Sequence, residues 1–291
     1  MGATLRNEKR SYLLLLLPTI VPIVFLILIP ILSVFGISLT NFSMLDMGNY
    51  RFIGFSNYIE MFHDSRFWNS VRVALIMCIG TVGFQMLLGL CLALLLSKNY
   101  RFLKFSRAIF LLPMALPPIV SGVIWKLMFN PILPGVNYLL SLIGIQGPIW
   151  FDAAWTAMST IIIATVWQWT PFVMLLLLTA LESMPTDPFE SAWIDGANRW
   201  QIFRYITFPL LKPTMVFVGT YRIIESLKNF PLVYMLTQGG PGISTEPMNY
   251  YAYEMTFKYS KMGYGSALII SILMIVIVIV VFLASRKDKV N

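Results

Sequence analysis

The chain has 291 residues, of which 58% are hydrophobic and only 12% are charged, and its mean hydropathy is +0.76. Soluble globular domains are nearer half apolar and a quarter charged, so these values exclude that class and indicate an integral membrane protein. In a soluble protein the net charge of +8 would suggest a nucleic-acid partner. In a membrane protein it reflects Lys and Arg retained on the cytoplasmic side, so no nucleic-acid partner is expected.

Six apolar runs follow one another along the chain, each with the roughly 20 residues that cross the hydrocarbon core of a bilayer. A cleaved signal peptide is the alternative for the first run, but its apolar core would be only about 7–15 residues long. Prolines interrupt the third run, and the fifth is the least hydrophobic. The predicted spans are Tyr12–Leu39, Val71–Leu96, Ala108–Phe129, Ala153–Leu181, Thr214–Leu236 and Gly263–Ala284.

The distribution of Lys and Arg predicts the orientation. Thirteen of the 21 basic residues fall on the side of both termini, among them the clusters Arg6–Arg10, Lys98–Arg107 and Arg286–Lys289, and five fall on the other side. Six membrane helices with both termini in the cytoplasm are therefore expected. The sequence shows no repeat or soluble insertion, which predicts one transmembrane domain over residues 1–291, multi-pass in a bacterial cytoplasmic membrane and surrounded by lipid.

Patterns for catalysis and metal binding are missing from the sequence. It has no G-x-x-x-x-G-K-[ST] phosphate loop, no H-E-x-x-H and no G-x-S-x-G, so neither ATP binding by this chain nor a membrane hydrolase is supported. Cys78 and Cys91 lie roughly 20 Å apart along one predicted helix, beyond disulfide reach. His63 is the only histidine, and no metal or catalytic role is assigned to it.

One loop, Glu182–Pro213, is too polar and too long to be a simple connection between the fourth and fifth runs. Asp187 is predicted to cap a short helix that Pro188 begins and that runs to Ile194. Gly196 allows a tight turn, and Asn198–Phe208 forms a second helical stretch. The charge distribution places the loop in the cytoplasm. Spacing alone leaves two interpretations: a projecting knob, or a helix pair lying on lipid headgroups.

This loop resembles the signature loop of the permease subunits of binding-protein-dependent ABC importers. That signature is Glu-Ala-Ala, three residues, Gly, and later an apolar residue followed by Pro. Ser191 replaces the middle Ala, and Phe208 replaces the usual Leu. The resemblance implies contact with a separate ATPase, with Glu190 as the anchor and Gly196 as the turn. The residues concerned are Glu190, Ser191, Ala192, Asp195, Gly196, Ala197 and Pro209.

A second resemblance rests on the segments Tyr234–Pro241, Ser244–Thr245 and Gly263–Ala267, which are similar to the carbohydrate branch of these permeases, of the maltose-transporter type. Phe230-Pro231 stands where the family often has Phe-Asp, so a role for that acid is not carried over. The two resemblances imply an all-α type I importer permease, a related second permease, two ATPase subunits that hold ATP and Mg²⁺, and an extracytoplasmic substrate-binding protein. This chain itself is expected to bind no cofactor and to catalyse no reaction.

Charged residues within the fifth run mark a candidate substrate path. Arg222, Glu225 and Lys228 recur at every third position, so they either pair along the helix, Arg222 with Glu225 and Glu225 with Lys228, or line a hydrophilic route, and the two interpretations are compatible. Trp167 and Trp169 can stack on sugar rings, anchor the helix at the interface or simply pack. The candidates are Trp167, Trp169, Arg222, Glu225, Lys228 and Asn229.

The resemblances favour a transport permease driven by another chain's ATP cycle. The alternatives are an ion-coupled secondary transporter, for which Glu225 is the only candidate coupling acid, and a membrane enzyme, for which no set of catalytic groups is present. An anionic sugar is a hypothesis suggested by Arg222 and Lys228.

Overall fold

The computed structural model describes residues 16, 18, 20–97 and 101–287, but not the side chains of 101–107, 283–284 and 286–287. Within this part the fold is helical, and its β interaction is an isolated antiparallel bridge between Thr40 and Phe52. Most basic side chains on which the predicted orientation depends, at residues 6–10, 98–107 and 286–289, lie outside the described set.

Long helices alternate with short ones along the described part of the chain. In chain order they are α1 (Ile20–Ser38), α2 (Ser56–His63), α3 (Ser65–Leu96), α4 (Arg101–Ala115), α5 (Pro118–Met128), α6 (Val136–Ser141), α7 (Ala154–Glu182), α8 (Asp187–Ile194), α9 (Arg199–Ile202), α10 (Phe208–Leu227), α11 (Pro231–Leu236), α12 (Met248–Tyr253) and α13 (Met262–Lys287). Wider π-helical turns cover Val24–Leu28, Phe203–Thr207 and Glu254–Lys258.

Four of the described helices are long and apolar enough to cross a bilayer: α1, α3, α7 and the Met262–Phe282 part of α13. The pair α4 and α5 provides a fifth candidate, Ala108–Ala115 with Pro118–Met128, if the two halves count as one span. Helix α10 is not among these candidates, and its charges Lys212, Arg222 and Glu225 make it more polar than the others. Six spans and cytoplasmic termini therefore stay predictions.

Two predicted spans are interrupted in the structure. The third is broken, as its prolines predicted, because α4 and α5 meet at a 101° bend. Pro117 and Pro118 lie at that bend, where a proline lacks the N–H that would continue the helix and disfavours helical geometry in the residue before it. The fifth begins at Phe208 rather than Thr214 and breaks after Leu227, since Pro231 cannot donate to the carbonyl of Leu227.

The described residues divide into two compact units. One comprises the described residues of Met1–Asp64 and Ala252–Ile275, and the other comprises those of Ser65–Tyr251 and Val276–Asn291. The single permease domain over residues 1–291 stays a prediction.

In the first unit, Asn57 fixes the short helix α2 against the end of α1. Its side chain is buried and donates hydrogen bonds to the carbonyls of Ser38 (2.7 Å) and Thr40 (2.8 Å). These carbonyls lie at the end of α1, where no intrahelical donor remains, so the amide supplies the missing partners. The sequence predicted a short helix around Asn57–His63, and α2 agrees with that prediction.

In the second unit, α3 and α7 pack closely because Gly89 lacks a side chain. A Cβ added to Gly89 would lie 2.6 Å from Cγ1 of Val173. This contact adjoins a fully apolar core, as expected where two membrane helices approach through a small residue. The core contains Ala93, Leu96, Val173, Met174, Leu177, Leu178, Leu211 and Val218.

Candidate functional site

A polar cavity lies in the second unit where two helix breaks come together. Its volume is about 200 Å³, and its lining includes Pro118, which begins α5 after the bend, and Lys228, Asn229 and Pro231 from the break between α10 and α11. Irregular backbone at membrane depth is tolerated where it is covered by protein or lines a water-filled cavity. We call this cavity the polar pocket.

The polar pocket brings together five of the six predicted path residues. Its wall includes Trp169, Arg222, Glu225, Lys228 and Asn229. They come from α7, from α10 and from the break that follows α10, so the break allows Lys228 and Asn229 to face the same space as Arg222.

Arg222 is the most deeply buried charged group of the pocket, with only 2% of its surface exposed. Its Nε donates to Oε1 of Gln85 on α3 at 3.0 Å, and its Cζ lies 4.8 Å from the centre of the Trp169 ring, a distance suitable for a cation–π interaction. Gln85 in turn donates to the carbonyl of Thr165 at 3.1 Å. Nη1 of Arg222 has no hydrogen-bond partner in the described part of the chain.

The predicted ladder of charges forms only in part. Nζ of Lys228 lies 2.7 Å from Oε1 of Glu225, as predicted, but the expected pair between Arg222 and Glu225 is not formed. The reason is that Gln85 and Trp169 hold the guanidinium of Arg222 towards α3 and α7.

Further polar side chains that the sequence analysis missed complete the surroundings of the pocket. Nδ2 of Asn229 donates to Oγ1 of Thr165 at 3.0 Å, and Thr81 and Ser226 share a hydrogen bond of 3.0 Å. Gln168 donates to the carbonyl of Leu116 at 3.0 Å, which satisfies a backbone group freed by the bend. A polar residue inside an otherwise apolar run was the available signal for each of these positions.

Trp167 is not part of the polar pocket. It lines a separate apolar cavity of about 780 Å³, together with residues of α3, α4 and α5, and its ring meets that of Trp125 edge-on at 5.7 Å. Of the three interpretations open for Trp167, these contacts favour packing. His63 lies outside both cavities and contacts the carbonyl of Ile59 through Nδ1 at 2.8 Å.

Six of the seven predicted coupling residues lie on α8 and the turn that ends it, and the seventh, Pro209, lies on α10. Gly196 has φ of +76°, a left-handed conformation that strains other residues, while a Cβ there would have open space, so the backbone angle is what requires glycine. The Gly196 N–H donates to the carbonyl of Trp193 at 3.2 Å, and the Ala197 N–H donates to that of Ala192 at 2.9 Å. These two bonds form a Schellman motif, in which Asp195 is the C-cap residue of α8.

The second helical stretch begins with a reciprocal cap. Asn198 accepts from the Gln201 N–H at 2.9 Å, and the Gln201 side chain accepts from the Asn198 N–H at 2.7 Å. At the start of α8 the predicted cap is wrong: Thr186 rather than Asp187 occupies the capping position, and it makes no side-chain cap bond. Asp187 is instead the first residue of the helix, and Pro188 follows it in the first turn.

The exposed surface of α8 combines charge and apolar area. Glu190 and Asp195 are exposed, and so are Trp193 (58%) and Ile194 (86%). The two apolar residues were not predicted as part of the contact surface, although their position beside Asp195 in a polar loop was a signal.

The exit from the loop is a continuous helix. The π-helical turn Phe203–Thr207 joins α9 to α10 without a break, and Pro209 is the second residue of α10. The last N–H before Pro209, that of Phe208, donates to the carbonyl of Phe203, five residues earlier. This wider turn makes room for the Pro209 ring, so the predicted stretch Asn198–Phe208 continues through Pro209 instead of ending before it.

Comparison with known proteins identifies the family. Residues 85–286 match the family described as binding-protein-dependent transport system inner membrane component. The chain belongs to this family. The match includes the Glu190–Pro209 segment, so the resemblance stated from the sequence is confirmed.

Two relatives illustrate the permease family. The chain is 36% identical over 275 residues to the trehalose/maltose transport system permease protein MalF of Thermococcus litoralis, covering 94% of this chain and 91% of that protein. It is 33% identical over 262 residues to the sulfoquinovosyl glycerol transport system permease protein SmoG of Agrobacterium fabrum, covering 90% and 85%.

The fold of this permease is also that of a chain in a solved structure. A bacterial ABC transporter involved in the import of the acidic polysaccharide alginate contains a chain that matches with a TM-score of 0.84 over 99% of both chains, at 22% identity. The permease is therefore an all-helical, multi-pass membrane protein with the type I ABC permease fold.

Proposed function

We propose that this chain is a permease subunit of an ATP-driven importer that moves a carbohydrate or a carbohydrate derivative across the bacterial cytoplasmic membrane. The names of both relatives include a sugar, trehalose/maltose in one and sulfoquinovosyl glycerol in the other, and this supports the substrate class. The polar pocket, with Trp169, Arg222 and Asn229 between two helix breaks, is proposed to lie on the substrate path.

The energy for transport is proposed to come from two separate ATPase subunits that contact the coupling loop, Glu182–Pro213. The observation that carries this proposal is the exposed helix α8, which presents Glu190 together with Trp193 and Ile194 and ends at a turn that only glycine adopts without strain. Glu190 in the first turn of α8 is stabilised by the helix dipole and can accept a charge-assisted hydrogen bond from an Arg of the ATPase.

The remaining parts of the proposed assembly follow from the family. A second permease completes the pore, and an extracytoplasmic binding protein delivers the substrate to the loops at residues 41–70, 130–152 and 237–262. Six spans would place both termini and the coupling loop in the cytoplasm. The permease pair would then alternate between inward-facing and outward-facing packings as ATP binds and is hydrolysed on the partner subunits.

The test is co-purification of the permease with its ATPase subunit. Gly196→Asp is expected to weaken the association about tenfold or more, because a side chain at φ of +76° costs about 1–2 kcal/mol and distorts the turn. Gly54→Asp is the matched control, since Gly54 also has positive φ (60°) and open space at its Cβ but lies in a different loop. Sugar uptake that persists after deletion of the ATPase gene would contradict the proposal and favour an ion-coupled transporter.

A further inference from the structure

Arg222 forms no ion pair within the described part of the chain. Glu225, three residues away, is bound to Lys228 at 2.7 Å and acts on Arg222 only by longer-range attraction. The polar pocket therefore contains two cationic side chains and one carboxylate, and the buried cation is the one without a directly paired carboxylate.

Burying a cation without an anion is unfavourable, because it loses hydration without a full replacement. The carbonyl oxygen of Gln85 and the face of Trp169 offset part of this loss at Nε and at the guanidinium plane. Nη1 remains buried with no hydrogen-bond partner. A guanidinium with unused donors is suited to an oxyanion, which it can bind through two parallel N–H bonds.

The other polar groups of the pocket have capacity for the rest of a sugar. Asn229 uses one N–H for Oγ1 of Thr165, which leaves a second N–H and the amide oxygen for hydroxyl groups. The cavity of about 200 Å³ is smaller than the usual range of about 300–1,000 Å³ for small-molecule sites, so it accommodates one end of a ligand rather than a whole oligosaccharide.

We infer that the polar pocket selects a sugar derivative that carries an acidic group, with Arg222 binding a carboxylate, sulfonate, sulfate or phosphate oxygen and Asn229 binding adjacent hydroxyls. This inference rests on the proposed function and specifies its substrate class. Arg222 is then a specificity-determining residue, and the neutral sugar of the same ring structure is a poor ligand.

The test uses the purified complex of this permease with its partner subunits in nanodiscs, with D-glucuronate and D-glucose as a matched pair of probes. Wild-type protein is expected to bind glucuronate about tenfold or more tightly than glucose, as one charge-assisted hydrogen bond provides. Arg222→Gln should remove this preference, and Arg222→Lys should retain part of it. Arg72→Gln is the matched control, because Arg72 is an exposed arginine on α3 outside the pocket.

Two further measurements, of thermal unfolding with simple anions and of the effect of lipid charge, separate the remaining outcomes. Acetate and sulfate, compared with chloride at equal ionic strength, should raise the thermal unfolding midpoint of wild type and Arg72→Gln more than that of Arg222→Gln. Equal responses of all three proteins to all four probes would overturn the inference. An Arg222-dependent effect of phosphatidylglycerol against phosphatidylcholine nanodiscs, with none from glucuronate, would also overturn it and assign the pocket to a lipid headgroup.

The inference and the proposed function can fail separately. A complex that assembles with the ATPase but binds glucose and glucuronate equally would overturn the acidic substrate and leave the transport function in place. Loss of ATPase association from the wild-type complex would count against the transport function itself.

Discussion

The hydrogen bonds that shape the coupling loop join residues close together in the sequence, whereas those that shape the polar pocket join residues far apart. In the loop, the bonds that end α8 and begin α9 join residues no more than five positions apart, such as Ala197 to Ala192 and Asn198 to Gln201. In the pocket, Arg222 meets Gln85 across 137 positions, and Asn229 meets Thr165 across 64. The hydrogen bonds of the loop are therefore specified by neighbouring residues, whereas the pocket exists only when the helices have packed.

This difference predicts two separable classes of variant. Changes in the loop should weaken the contact with the ATPase while the pocket and the overall stability remain almost unchanged. Changes in the pocket should alter ligand binding and the free energy of unfolding while the ATPase still binds. A variant in one region that also changes the property assigned to the other region would show that the two regions are structurally coupled.

The largest effect is expected from Gln85→Leu. This change removes the acceptor of the buried Arg222 guanidinium, and we expect the free energy of unfolding to fall by about 3 kcal/mol, measured by denaturation of the purified chain in detergent. Gln85→Glu is the companion variant, because it places a carboxylate beside Arg222. Its free energy of unfolding should equal that of wild type, and anion binding should be lost. If Gln85→Leu unfolds with the same free energy as wild type, the Arg222–Gln85 bond contributes nothing to stability.

A smaller and more local effect is expected from Asn198→Ala. Loss of the reciprocal cap should cost about 1 kcal/mol, confined to α9, and should appear as faster amide exchange at Gln201 and a lower affinity for the ATPase. Asn130→Ala is the control, because Asn130 also accepts a local backbone bond, from Ile132, but lies outside the coupling loop. Equal loss of ATPase affinity in both variants would argue against a specific role for the cap.

The smallest effect is expected from Glu225→Gln. The Lys228 and Glu225 side chains are 55% and 33% exposed, and such pairs contribute less than about 1 kcal/mol. Unfolding midpoints should change little, and ATP-dependent uptake should continue. Uptake that stops in Glu225→Gln while the ATPase remains bound would point to proton or ion coupling through this carboxylate.

The coupling loop was largely predictable because its determinants are neighbours in sequence. Gly196 as the turn and a helix start at Asn198 both follow from short-range hydrogen-bonding rules, and both are observed. The prolines were harder to interpret. Pro117 and Pro118 accompany a bend of 101°, whereas Pro209 and Pro213 lie inside a continuous helix, because a π-helical turn provides room before Pro209.

The pocket was predictable in membership, but of its pairings only that of Glu225 with Lys228 was predicted correctly. Charged residues inside a membrane helix indicated that Arg222, Glu225 and Lys228 face protein or water, yet their choice of partners depends on residues of α3 and α7. Trp167 and Trp169 were both predicted to line the path, although residues two positions apart on a helix point roughly 160° apart. Only Trp169 reaches the polar pocket, and helical periodicity could have separated the two.

The unbroken helix from Arg199 to Leu227 has a mechanical consequence. Arg199 and Arg222 are separated by roughly 35 Å of helix, so a tilt of only about 10° about the Arg199 end would displace the other end by about 6 Å. A displacement of that size exceeds the length of a hydrogen bond, and it would carry Arg222 away from Gln85. A small rotation of the coupling loop is therefore geometrically sufficient to open the Arg222–Gln85 contact.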